Sequence, residues 1–290
     1  MITFNLDDNF MPYGNGTEFV KNLFPSGCEL NVRLPQVPFF QEGFDGKVMV
    51  AARISSSDDV MRIMLIADAL DRIKMVKEKH LFIPFVPYAR QDHVVSKGEA
   101  FSLKVFARMI NSCGFDEVTV FDPHSDVVAA LIDNVQVHSN LRLVKMVLEG
   151  KKDYWLASPD AGAYKKIGKL ADELGYDKQI ISCGKVRDPR PENKGKILGM
   201  SVPNVDLEGK DVYIIDDIVE GGRTFITLAK ELRKQNVGKV YLIVSHGVFS
   251  QGDAEMKEHL DGVFTTDSYV AVKPVDQYFV QRIMLCDILM

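Results

Sequence analysis

The stretch that most constrains this chain is Val212-Tyr-Ile-Ile-Asp216-Asp217-Ile-Val-Glu220-Gly221-Gly222-Arg223-Thr224-Phe-Ile-Thr227. Residues 212–215 are apolar without polar alternation, the pattern of a strand buried on both faces of a parallel sheet. Two carboxylates stand at its C-terminal end. A glycine pair follows, and then Phe225, Leu228, Ala229 and Leu232 recur at helical spacing. A strand–turn–helix unit presents backbone N–H groups at a helix N-terminus, where they can hold a phosphate. Ligands of open α/β sheets lie outside the carboxyl ends of the strands, so acids and turn would face one ligand. A pentose phosphate suits both: Glu220, Gly221, Gly222, Arg223 and Thr224 would take the phosphate, and Asp216 and Asp217 would accept hydrogen bonds from ribose hydroxyls. The same acidic pair could instead be a Walker-B-like magnesium site or a solvated turn. A Walker-B site needs a P-loop, and the chain contains no G-x-x-x-x-G-K-[ST].

A length of 290 residues predicts two domains. We place them at residues 1–150 and 151–290, with Gly150-Lys-Lys-Asp153 as the linker and the last residues returning to the first domain. A net charge of −5 argues against a nucleic-acid partner, and no basic block marks a membrane surface. The N-terminus has no charged segment followed by an apolar run, and nothing approaches the ~18 apolar residues of a membrane span. These features predict a cytoplasmic protein. Four cysteines without a C-x-x-C pair do not suggest a disulfide or metal framework.

Strands are expected at 4–6, 30–34, 48–54, 81–88 (extended, because prolines forbid helix), 117–121, 154–157, 179–182, 212–215, 239–245 and 263–265. Helices are expected after the Ser55–Asp59 N-cap and at 102–112, 127–132, 138–149, 163–174, after Gly222 and at 253–260. Residues 184–199, basic and rich in glycine and proline, read as a loop. Strands alternating with helices indicate an α/β fold with a mainly parallel sheet in each half.

Several loops that follow strands carry polar chemistry: Arg90-Gln91-Asp92, Asp122-Pro-His124, Ser158-Pro-Asp160, Lys185-Val-Arg187 and Asp216-Asp217. Singly each is weak, since a strand-end histidine is commonly structural and a loop lysine solvated. Together they resemble the ribose-phosphate diphosphokinase (PRPP synthetase) family from about Phe24 to about Phe249. Residues 214–224 look like the PRPP loop that this family shares with type I phosphoribosyltransferases. Tyr88-Ala-Arg-Gln-Asp92 matches the family's ATP loop, and Asp122-Pro-His124 its D-L-H except at the middle position. Ser158-Pro-Asp-Ala-Gly162 matches S-P-D-x-G, Lys185-Val-Arg187 the K-x-R of the catalytic loop, and Ser245-His-Gly-Val-Phe-Ser250 the [ST]-H-x-x-F-S segment.

The resemblance implies two tandem phosphoribosyltransferase-like domains and a reaction in which ATP and ribose 5-phosphate give PRPP and AMP. It makes Lys185 and Arg187 catalytic cations and His124 and Asp160 the holders of Mg²⁺. It assigns Arg90, Gln91 and Asp92 to ATP, together with Phe24, Ser26, Gly27 and Glu29 from a neighbouring copy in a homo-oligomer with a shared ATP site. Asp216, Asp217 and Glu220 to Thr224 fall to ribose 5-phosphate. The chain departs from the family pattern at Ser26 (usually Asp), at Cys28 (an extra residue before Glu29), at Glu220 (usually Asp) and at Arg223 (usually Gly). Two other readings stay open. One is a non-catalytic relative that regulates an active synthetase, against which Lys185, Arg187, His124 and Asp160 stand. The other is a phosphoribosyltransferase consuming PRPP, against which the Tyr88–Asp92 loop stands.

Overall fold

The computed structural model describes residues 1–7, 9–14, 20–21, 29–35, 39, 42–187, 190 and 197–289. The chain divides into two compact units, Met1–Ser139 with Met284–Met290, and Asn140–Ile283. Gly150 and the helix before it therefore belong to the second unit.

The first unit contains β1 (Ile2–Asn5), a short ribbon of β2 (Val20–Lys21) and β3 (Val32–Arg33), β4 (Lys47–Ala51), α1 (Ser57–Asp71), β5 (Glu78–Ile83), α2 (Ser102–Ser112), β6 (Glu117–Phe121), α3 (Val127–Leu131) and β7 (Val135–His138). Its main sheet runs β1-β4-β5-β6-β7 with every pair parallel. Strands that follow one another in a single direction, joined by right-handed crossovers, place their helices on one face. One apolar cluster accordingly joins Ile63, Ile66 and Leu70 of α1, Phe106 and Ile110 of α2 and Val128 of α3 to Val48, Val50, Leu81, Ile83, Val118 and Val120 of the strands. On the other face Phe82 stacks on Phe10 and meets the edge of Tyr13. α1 starts at a capping box in which Ser56 accepts from the Asp59 N–H and the Asp59 carboxylate reaches back to the Ser56 N–H.

The second unit contains α4 (Leu141–Leu148), β8 (Trp155–Ser158), α5 (Ala161–Leu174), β9 (Ile181–Ser182), β10 (Gly184–Arg187), β11 (Ile197–Ser201), β12 (Val212–Val219), α6 (Arg223–Leu232), β13 (Val240–Gly247), α7 (Ala254–Lys257), β14 (Gly262–Thr266) and β15 (Val280–Ile283). A final helix, α8 (Leu285–Leu289), lies in the first unit. The six-stranded sheet is ordered β15-β14-β13-β12-β8-β9, again with every pair parallel. From β8 the chain steps one way to β9, then returns to the other side of β8 and continues through β12, β13, β14 and β15. Right-handed crossovers then put α5 on one face and α6 and α7 on the other. The apolar cluster containing Phe225, Leu228 and Leu232 of α6 and Met256 of α7 includes no residue of α5. Both sheets are parallel and flanked by helices, as expected for two α/β domains.

Several elements differ from expectation. Residues 184–187 and 197–201 are not loop but an antiparallel ribbon, β10 with β11. β12 runs past Ile215 through both aspartates to Val219, because β13 extends alongside it as far as the Val219–Gly247 pair. His138 ends a strand rather than opening a helix, and the 253–260 helix shortens to α7. β15 and α8 were not anticipated. Among the described residues no helix is long and apolar enough to cross a membrane.

Candidate functional site

The second unit reverses its winding between β8 and β12, the crevice where α/β sheets hold ligands. Three sequence-predicted segments end there: Asp160 after β8, the acidic pair in β12, and Glu220–Thr224 leading into α6. Single-direction winding gives the main sheet of the first unit no such crevice.

The carboxylates at the crevice differ in state. Asp160 is the N-cap of α5, its Oδ1 accepting from the Ala163 N–H at 3.0 Å. Its Oδ2 lies 2.6 Å from Lys185 Nζ, so the candidate catalytic cation, carried by β10, is docked on the candidate metal ligand. Burial opposes ionisation of Asp160, but the Lys185 ammonium and the Ala163 and Gly162 N–H groups outweigh it and hold the carboxyl below its ordinary range. Asp216 moves the other way. Desolvation first, and then the adjacent Asp217 charge, push its carboxyl well above the ordinary range, with Asp160 adding to the repulsion. Asp217 is buried, and its N–H donates to Asp216 Oδ1 at 2.9 Å. Two crowded acids whose repulsion discourages full ionisation suit a ligand that donates hydroxyl protons to them.

The turn after β12 is built to approach an anion. Gly222 is the N-cap of α6 with φ +76°, and no side chain caps the helix, so its first N–H groups receive no side-chain acceptor. Behind the turn, the Val248 N–H donates to Val219 O at 2.9 Å and the Ser250 N–H to Glu220 O at 2.9 Å. The Ser245–Ser250 segment is thus the brace of the phosphate turn. Met256 of α7 forms its floor: a Cβ on Gly222 would stand 2.6 Å from Met256 Sδ. Met256 carried no sequence signal, since a lone methionine reads as core filling.

Arg223 is exposed, and its guanidinium forms no ion pair with a described residue. The uncapped N–H groups at the start of α6 can take a phosphate without the guanidinium. Arg223→Gly is therefore expected to weaken ribose 5-phosphate binding by less than ~1 kcal/mol, below a charge-assisted hydrogen bond, as read by calorimetry.

The first unit carries the remaining candidates on loops at the carboxyl ends of β5 and β6. Tyr88 has φ +62°, and the Gln91 N–H closes a turn onto Tyr88 O at 2.8 Å, leaving Arg90 and Gln91 exposed. Asp122 has φ +44° and is buried, and its N–H donates to His138 O at 2.7 Å. Such backbone at non-glycine residues costs energy and concentrates at ligand loops. His124 is exposed beside it. Asp92 bonds Ser125 Oγ at 2.6 Å, a partner that sequence reasoning missed although it directly follows Asp122-Pro-His124. Glu29 lies on the described chain. Phe24, Ser26 and Gly27 lie outside the described residues, as does the side chain of Arg187.

Mg²⁺ asks for one or two protein ligands and takes the rest of its octahedron from phosphates and water. Among the described residues no group of three or more His, Cys, Asp or Glu forms a metal cage. Asp160 Oδ2 already accepts from Lys185, so a metal ion there would share that oxygen with the ammonium or displace it. This donor set fits an ion arriving with a phosphorylated substrate rather than one caged by protein alone.

Comparisons with known proteins bear on the chain as a whole. Residues 39–114 match the family model described as the N-terminal domain of ribose phosphate pyrophosphokinase, and residues 185–283 the phosphoribosyl synthetase-associated domain. The ribose-phosphate pyrophosphokinase of Pyrococcus abyssi is 27% identical over 87% of this chain and 84% of its own length. That of Thermococcus kodakarensis is 28% identical over 85% and 88%. The crystal structure of phosphoribosylpyrophosphate synthetase from Mycobacterium smegmatis superposes with a TM-score of 0.78 at 23% identity, covering 99% of this chain and 95% of that one, and so shares the fold. Along most of its length the chain is similar to the ribose-phosphate pyrophosphokinase family.

Proposed function

We propose that the protein transfers the diphosphoryl group of ATP to the 1-hydroxyl of ribose 5-phosphate, releasing AMP and PRPP. The observation that carries this reading is the convergence at the β8/β12 crevice. An acidic pair for sugar hydroxyls, a glycine turn opening an uncapped helix, and the Lys185 cation on Asp160 meet there. The N–H groups of 221–224 and the Thr224 hydroxyl take the 5-phosphate, while Asp216 and Asp217 orient the ribose. The sugar O1 forms its bond to the β-phosphorus, the bond from that phosphorus to the α,β-bridging oxygen breaks with its electrons passing to AMP, and the hydroxyl proton is released. The protein's part is positioning and charge stabilisation. Lys185 leaves Asp160 Oδ2 and, with Arg187, faces the charge that grows on the transferring group.

On the nucleotide side, Arg90 and Gln91 contact ATP, and Phe24, Ser26, Gly27 and Glu29 of a neighbouring copy complete the site in a homo-oligomer. His124 and Asp160 would hold Mg²⁺, which when bound neutralises diphosphoryl oxygens. The enzyme would work in the cytoplasm. Incubation with ATP, Mg²⁺ and ribose 5-phosphate tests the reading: equal amounts of AMP and PRPP support it. Product only when PRPP and a nucleobase are supplied would mark a phosphoribosyltransferase, and no turnover at all a regulatory relative.

The raised pKa of Asp216 gives a pH test. The folded state keeps a proton that the unfolded chain releases, so the contribution to stability is present below the ordinary carboxylate range and lost as pH rises through the raised folded value. Asp216→Asn, uncharged at any pH, is expected to raise the neutral-pH melting temperature by a few degrees, with the gain vanishing in acid. The same variant should bind ribose 5-phosphate poorly.

A further inference from the structure

We infer that Asp92 is a positioning residue that ties the Tyr88–Asp92 loop to the His124 loop through Ser125, and does not itself touch ATP. Both Asp92 oxygens are engaged: Oδ2 accepts from Ser125 Oγ at 2.6 Å, and Oδ1 lies 2.5 Å from His93 Nδ1. The Ser125 hydroxyl, and then the His93 ring, hold the Asp92 carboxyl below its ordinary range, so it stays ionised. Ser125 is oriented in turn, because its Oγ accepts from the Val127 N–H at 3.2 Å at the start of α3. The hydroxyl therefore gives its proton to Asp92 and takes one from the helix, which leaves a single hydroxyl orientation.

Each loop has its own backbone anchor: the Leu103 N–H donates to Gln91 O at 3.3 Å, and the Asp122 N–H to His138 O at 2.7 Å. Those anchors fix each loop to its own neighbouring segment, whereas Asp92–Ser125 fixes one loop to the other across 33 residues of sequence. Electrostatics points the same way. An ionised carboxylate only accepts hydrogen bonds and would repel nucleotide phosphates, so a loop that receives ATP gains by turning Asp92 away from them. Arg90 and Gln91 are presented instead. A displacement of about 1 Å in such a loop can cost up to about 100-fold in rate, which is how a residue without substrate contact acts on the reaction.

This inference rests on the reading that the chain uses ATP, and its test separates the two. Asp92→Ala, Ser125→Ala, the double variant and Ser125→Thr are compared with the parent chain in kcat and in KM for each substrate. Melting temperatures are measured without nucleotide. Ser125→Ala and Asp92→Ala are each expected to raise KM for ATP about tenfold, the scale of one hydrogen bond to a charged group, with KM for ribose 5-phosphate unchanged. The double variant should be no worse than the worse single one, and Ser125→Thr should restore the parent value. A large effect of Asp92→Ala with a near-normal Ser125→Ala, or additive effects, would overturn the inference and place Asp92 on the nucleotide. If the parent chain makes no PRPP, the functional reading fails. The melting temperatures still decide the tie: non-additive losses support it and strictly additive ones refute it.

Discussion

Replacing Lys185 with alanine should lower kcat by roughly 10²–10³-fold, about 3–4 kcal/mol, the cost of removing one preorganised charge-stabilising group. KM for both substrates should change only a few-fold. In the resting protein the Lys185 ammonium sits 2.6 Å from Asp160, so its charge is neutralised there and not spent on ground-state substrate. A cation used only once charge develops on the transferring group acts on the rate constant rather than on binding. Asp160 should respond as well: without the ammonium that holds it low, its carboxyl becomes less acidic, though the Ala163 N–H still supports ionisation. Steady-state and single-turnover rates decide the matter. Turnover within a few-fold of the parent would make Lys185 only the structural partner of Asp160.

Gly222→Val should abolish useful ribose 5-phosphate affinity, with a loss of 100-fold or more, while Arg223→Gly stays near the parent. Two costs combine. The φ of +76° is left-handed, which costs an L-residue about 1–2 kcal/mol and a β-branched one more. The new Cβ would also stand 2.6 Å from Met256 Sδ and 2.8 Å from its Cγ, and overpacking a buried contact costs about 1–3 kcal/mol. The turn relieves both by moving off its floor, which carries the 221–224 N–H groups away from the phosphate. Calorimetry on the two variants separates backbone from side-chain recognition. A large loss for Arg223→Gly with a small one for Gly222→Val would show that the guanidinium holds the phosphate.

The β12–α6 unit was legible because an unbroken apolar run followed by two glycines and helically spaced apolar residues has few other foldings. The β10/β11 ribbon was not legible, because its strands are defined by pairing with each other across an intervening segment. Gly184-Lys-Val-Arg187 alone, with a single apolar residue, is too short to signal a strand. The reach of β12 through Asp216 and Asp217 was hidden for a related reason: the neighbouring β13, not local composition, carries the ladder to Val219. Charge state is less visible still. The sequence shows two adjacent aspartates, but only the desolvation of Asp216, the buried Asp217 beside it and the approach of Asp160 reveal that Asp216 resists ionisation. The Asp92–Ser125 bond likewise joins residues far apart in the chain, and one-dimensional patterns report periodicity rather than such partners.

The central claim is that a diphosphoryl group moves intact from ATP to the sugar. ATP labelled at the γ-phosphorus, mixed with the protein, Mg²⁺ and ribose 5-phosphate, tests it most directly by following the label by chromatography. The account predicts label in PRPP with an equal amount of unlabelled AMP. Label in a sugar bisphosphate formed together with ADP, or in free phosphate with no PRPP formed, would contradict it.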